Sequence, residues 1–176
     1  MRLSKLSLAS VTLLAAVAQP ILAERPLRPV AVATLYRPNG TVAGTVSVMP
    51  RPAGSVLEVE ISGVAPGVHG MHLHAVGKCE GPGFASAGGH LNPDHRAHGN
   101  LNPAGQHLGD LPNVTAGEDG RISAKIRTPM RPFKLASTLL GGEGTALVLH
   151  ADADDYKTDP SGNSGARIVC GVFERP

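Results

Sequence analysis

Leu57-Glu58-Val59-Glu60-Ile61 sets a large apolar side chain against an acidic one at each step. Successive residues of a strand point to opposite faces, so this stretch reads as a strand with one face in a core and the other in water. The pattern recurs on both sides. Upstream, Val42, Val46 and Val48 alternate with Ala43, Thr45 and Ser47; downstream, Ile122, Ala124 and Ile126 alternate with Ser123, Lys125 and Arg127. Period-2 alternation marks half-buried strands. Asn39-Gly40, between strands expected over 30–36 and 41–49, is a hairpin signal. Further strands are expected over 68–76, 145–151 and 166–173. With 22 Gly and 15 Pro, the chain leaves little room for long helices. About seven or eight short strands separated by turns imply an all-β, antiparallel sandwich or barrel.

Residues 1–23 read as a secretory signal peptide rather than as part of the fold. Arg2 and Lys5 make a positive start, residues 6–18 are almost wholly small or apolar, and a small-residue exit follows. The apolar run falls short of the roughly 20 residues a membrane span needs. Cleavage is expected after Ala23, with Ala16-Val17-Ala18 as a second site, which leaves one domain over 24–176 in the periplasm or, alternatively, secreted. Of the 16 Lys and Arg, Arg2 and Lys5 leave with the leader, so basic and acidic side chains balance at 14 each. No basic block survives to suggest nucleic acid, and no membrane contact is expected after signal removal. Cys79 and Cys170 sit in an exported chain, where an oxidising compartment favours pairing. The loop so closed is about 90 residues, for which the chain-entropy estimate is roughly 4.5 kcal/mol.

Residues 77–118 break the rhythm: they have no sustained period and are rich in Gly, Pro, Asn and His. A loop of that length inside a compact domain is usually functional. Seven of the eight His fall between positions 69 and 107. His72 and His74, two apart on a strand, share a face while Met71 and Leu73 enter the core, which makes a metal half-site. His90, His98, His107 and Asp110 supply three imidazoles and a carboxylate, a donor set that suits zinc. His150 closes the apolar strand that begins at Thr145 and puts an imidazole at a sheet rim. Together these are more nitrogen donors than one zinc needs. Imidazole suits both zinc and copper, and an all-imidazole site favours Cu(II).

Four segments then carry a family resemblance: Gly70-Met71-His72-Leu73-His74, Ser86-Ala87-Gly88-Gly89-His90-Leu91-Asn92-Pro93, His107-Leu108-Gly109-Asp110-Leu111-Pro112-Asn113-Val114 and Gly165-Ala166-Arg167-Ile168-Val169-Cys170-Gly171. In order and spacing the chain resembles the copper–zinc superoxide dismutases, over nearly all of residues 24–176. The resemblance implies an eight-stranded Greek-key sandwich or flattened barrel with long metal-binding loops. It implies copper held by His72, His74, His90 and His150, and zinc held by His90, His98, His107 and Asp110, with His90 bridging the two. It also implies Asp154 as a carboxylate linking a copper-side to a zinc-side histidine, Arg167 as the anion-guiding residue, and a Cys79–Cys170 disulfide. The activity implied is conversion of superoxide to dioxygen and hydrogen peroxide, with Arg167 binding the anion and His90 carrying a proton. A homodimer is left open. The chain departs from the eukaryotic pattern in a longer 77–85 stretch and in a 155–165 stretch without paired glutamates, where Lys157 is a candidate for steering. His69 and His95 match no ligand; His69 is expected to hold backbone, and His95 to be solvated.

Overall fold

The computed structural model describes residues 26–128 and 130–176; the signal-peptide reading of 1–23 lies outside them. Among the described residues nine strands form in chain order: β1 (Ala31–Tyr36), β2 (Val42–Arg51), β3 (Gly54–Ile61), β4 (Gly67–His69), β5 (Met71–His74), β6 (Val114–Ala116), β7 (Ile122–Thr128), β8 (Ala146–His150) and β9 (Arg167–Val172). Seven of them make one antiparallel sheet in the order β5-β8-β9-β1-β2-β3-β7, and β4 pairs separately with β6. One residue separates β4 from β5, and the turn at Gly117–Arg121 joins β6 to β7. The β4–β6 ladder therefore draws together the two ends of the curled sheet. All-β antiparallel architecture is as expected, with the count of eight strands replaced by a sheet of seven and a closing pair.

Alternation explains the core. Leu57, Val59 and Ile61 are buried on the inner face of β3 among Val46, Val48, Ile122, Ile126, Leu147 and Leu149. Their outward neighbours meet polar partners across the strands: Lys125 Nζ lies 3.2 Å from Glu58, and Ser123 Oγ donates to Glu60 at 2.6 Å. Val42 is a correction. It is 57% exposed while Ala43 is buried, because the β1–β2 register slips between Leu35 and Tyr36, which shifts the alternation before Val46. The hairpin forms as expected but over a longer turn. Arg37 N–H donates to Thr41 O, Gly40 N–H donates to Arg37 O, and Gly40 takes the left-handed φ of +79° that a glycine tolerates.

Two elements escape the alternation. Helix α1 (Pro132–Leu140) packs Leu135 and Leu139 into the core, with Pro132 at its first turn, where a missing N–H costs nothing. Strand β6 lies inside what reads as the long loop. The strand expected over 68–76 is broken at Gly70, whose N–H donates to Asp152 O and whose carbonyl accepts from His150 N–H. A Cβ there would lie 2.9 Å from Ser164 Cβ, so glycine lets the loop between β8 and β9 press against this strand.

Candidate metal centre

β5 fixes the first two imidazoles. Met71 and Leu73 point into the core, and His72 and His74 point to the opposite face, which is fully covered rather than open to solvent. Two loops cover it. One runs from β5 to β6 and pairs along the free edge of β5: Leu73 N–H donates to Gly109 O, and Leu91 N–H donates to Leu73 O. The other runs from β8 to β9. His150 ends β8 where the register to β9 slips, opposite Arg167. His90 comes back beside His74 in an isolated bridge, and Asp110 beside His72 in another.

The Cys79–Cys170 disulfide, with Cα atoms 5.7 Å apart, ties the start of the first loop to β9. Beneath it Phe84, Ala87, Ala146, Val148 and Cys170 make a second small apolar cluster on the outer face of β8. That packing delivers the carbonyl of Gly88, which accepts from His74 Nδ1 at 2.9 Å and from Arg167 Nη2 at 2.7 Å. Arg167 Nη1 donates to Phe84 O at 2.7 Å, and the guanidinium lines an open depression with Gly88, Gly89 and Gly165.

In each of four histidines one ring nitrogen is fixed and the other is left alone. His72 Nε2–H donates to Asp154 Oδ2 at 2.7 Å, His74 Nδ1–H to Gly88 O, and His150 Nδ1–H to Gly165 O at 3.1 Å. His90 Nδ1 lies 2.9 Å from Asp110 Oδ1. The remaining atoms, His72 Nδ1, His74 Nε2, His90 Nε2 and His150 Nε2, are buried with no hydrogen-bond partner. Each such orphan costs about 1–3 kcal/mol unless something takes up its lone pair. All four belong to one cluster whose donor atoms lie within 4.8 Å of one another. Burial holds the rings of His74, His90 and His150 neutral, with their lone pairs free. The His74 pKa falls to about 2, and those of His90 and His150 to about 4, desolvation being the main cause and neighbouring cationic or imidazole groups adding to it.

His90, His98, His107 and Asp110 form a second cluster around Asp110 Oδ1, which lies 2.9, 3.1 and 3.1 Å from the Nδ1 atoms of His90, His98 and His107. His98 Nε2–H donates to Asp154 Oδ1 at 2.9 Å. His98 Nδ1 lies 3.1 Å from Asp110 Oδ1, so each of its ring nitrogens faces a carboxylate oxygen. Burial alone would raise the Asp110 carboxyl. Its contact with His90 and the N–H groups of Gly99 and His107 outweigh burial and hold it below the usual carboxylate range. Both clusters thus fit metal ions: the first offers four nitrogens, the second three nitrogens and an oxygen. His90 belongs to both.

Asp154 bonds His72 through one oxygen and His98 through the other, so it joins the two clusters. His69 is buried between two carbonyls, its Nδ1 2.8 Å from His150 O and its Nε2 2.9 Å from Ala65 O. His95 is exposed, at a left-handed φ of +51°. Lys157 is exposed and is not among the residues lining the depression at Arg167. Sequence reasoning missed the carbonyls of Gly88 and Gly165, because an acceptor on the backbone leaves no trace in residue type. It also missed Asn113 and Tyr156, which contact Asp154; the position of Asn113 inside a quoted motif was the one available signal.

Comparison with known proteins places the chain in a family. The copper/zinc superoxide dismutase (SODC) family profile matches residues 42–173. The Cu-Zn superoxide dismutase of Caulobacter vibrioides is 41% identical over 148 residues, covering 82% of this chain and 85% of that one. The crystal structure of a SOD-like protein from Bacillus subtilis superposes with a TM-score of 0.74 at 38% identity, covering 80% of this chain and 96% of that one. The Cu/Zn superoxide dismutase from Brucella abortus gives 0.67 at 33% identity, covering 82% and 99%. With its curled antiparallel sheet, its disulfide and its two histidine clusters, this chain belongs to the copper/zinc superoxide dismutase family, an oxidoreductase family that uses both metals.

Proposed function

We propose that this chain dismutates superoxide at a copper held by His72, His74, His90 and His150, with zinc held by His90, His98, His107 and Asp110. The observation that carries this reading is the set of four buried, partnerless ring nitrogens sharing His90 with a second, carboxylate-containing cluster. When bound, copper supplies one-electron acceptance and donation between successive superoxide ions, and zinc supplies a fixed positive charge. The chain's own residues do the rest. Arg167 binds the anion: its guanidinium keeps its charge, and two carbonyls pin it at the rim of the depression. His90 Nε2 carries a proton to the product peroxide, and the Nδ1 contact with Asp110 fixes the plane of its ring. Two superoxide ions and two protons give one dioxygen and one hydrogen peroxide.

The site of action we assign is the periplasm, where the enzyme protects the cell envelope after cleavage of residues 1–23. Support comes from the leader-like pattern of those residues and from the disulfide, a bond that persists in oxidising compartments. The test purifies the exported chain, counts copper and zinc, and assays superoxide removal. One of each metal per chain is expected, with an N-terminus at Glu24 and activity abolished in His72→Ala. A metal-loaded wild-type chain inert toward superoxide overturns the reading in favour of a metal store.

A further inference from the structure

Asp154 hydrogen-bonds His72 of the first cluster and His98 of the second, and residues from three chain segments hold it in place. Its own N–H donates to Asn113 Oδ1, and Asn113 Nδ2–H donates back to Asp154 O, both at 2.9 Å, closing a two-bond ring. Tyr156 N–H donates to Asp154 Oδ1 at 2.6 Å. The Tyr156 hydroxyl in turn accepts from Asn113 N–H at 2.6 Å, and the Tyr156 carbonyl accepts from Leu101 N–H at 3.0 Å. Gly99 packs so closely over that carbonyl that a Cβ would lie 2.0 Å from it, while Gly99 N–H donates to Asp110 Oδ2. One residue therefore bonds the bridging carboxylate, the start of β6 and the loop that carries His98.

Tyr156 does this from a left-handed backbone, φ +61°. For a residue with a Cβ that conformation costs roughly 1–2 kcal/mol and persists where surrounding contacts over-determine it. A glycine would take the turn without strain, but it would supply no hydroxyl to Asn113. The strain and the hydroxyl contact together point to the side chain as the reason for the residue.

We propose that Tyr156 is a positioning residue: its hydroxyl latches Asn113, Asn113 and the Tyr156 N–H aim Asp154, and Asp154 sets how firmly His72 and His98 are held for their metals. This rests on the metal assignment made above. Residues that orient ligands from outside the metal's own contacts typically cost 10–100-fold in metal affinity when removed, and a latch one bond further out belongs at the lower end, about tenfold.

The experiment loads wild type, Tyr156→Phe and Asn113→Asp with zinc and follows its release to a chelator. The urea midpoints of the metal-free proteins are measured in parallel. Tyr156→Phe removes only the acceptor for Asn113 N–H, and Asn113→Asp keeps the acceptor toward Asp154 N–H but removes the donor to its carbonyl. Zinc release about tenfold faster in both variants, with metal-free midpoints close to wild type, is the expected result. Wild-type release rates in either folded variant overturn the proposal. So does acceleration only in step with lost metal-free stability, or failure of both variants to fold, since each makes the role merely structural. A wild-type chain that takes up no zinc defeats the metal assignment itself, which keeps the two failures apart.

Discussion

At the scale of single residues, the buried rings of His72, His74 and His150 are each fixed by a carboxylate or a backbone carbonyl, and Gly162 makes the Asp154 contact testable. It has φ +65°, and a Cβ there would lie 1.8 Å from Asp154 Oδ1 and 2.7 Å from His98 Nε2. Gly40 has a similar φ of +79° with nothing within 4 Å of its would-be Cβ. Alanine at either position incurs left-handed strain of roughly 1–2 kcal/mol, but only Gly162→Ala should also lose zinc, because only it displaces Asp154. Urea melts and metal counts of the two variants check this; equal zinc contents would show that the Asp154 contact is unimportant. Arg167→Gln removes a permanent charge without removing a ligand. Turnover should fall roughly tenfold or more, as expected for loss of a charge-assisted contact worth about 1.5–3 kcal/mol, with both metals retained. The salt dependence of the rate should flatten as well, since screening acts on the charge that has gone.

At the scale of elements, period-2 alternation found β2, β3 and β7, because each has one face in the core and one face toward polar neighbours, while β1 was read from the hairpin turn beside it and β8 and β9 as short apolar runs, β8 being buried on both faces. Alternation failed for β6, three residues within a loop whose pairing with β4 is a long-range event. It also failed for α1, whose few apolar core contacts at Leu135 and Leu139 are too sparse to stand out among Pro and Gly. The disulfide links elements instead of residues: it pins the loop that presents Gly88 to both His74 and Arg167. Replacing Cys79 and Cys170 with serine should cost about 2–5 kcal/mol in urea unfolding. It should also lower activity by more than global unfolding explains, since the carbonyls that hold Arg167 are loosened. Full activity in the folded double variant would detach the disulfide from the site.

For the whole molecule, the two clusters make metal-free stability depend on pH. His74, His90 and His150 have native pKa values depressed to about 2, 4 and 4, below the ordinary value of 6.5 that the unfolded chain keeps. Between about pH 4 and 6.5 the unfolded state binds more protons, so stability must rise with pH there, by up to about 1.4 kcal/mol per unit for each ring that contributes. Asp110 and Asp154 are lowered too, and their contribution is lost only at more acid pH. Urea midpoints of chelated protein from pH 4 to 7 should climb steadily; a flat profile would mean that the rings are not buried as neutral bases. The sequence by itself determined the class of fold, the family and the candidate ligand residues, because alternation and residue type are local properties that every strand and ligand must display. Only the tertiary structure decided that the outer face of β5 is sealed, that the carbonyls of Gly88 and Gly165 orient His74 and His150, and that Asp154 is gripped by Tyr156 and Asn113. Those facts depend on backbone carbonyls, on close approach at glycines and on which distant loops come to lie together, and none of these is written in the identity of any one residue.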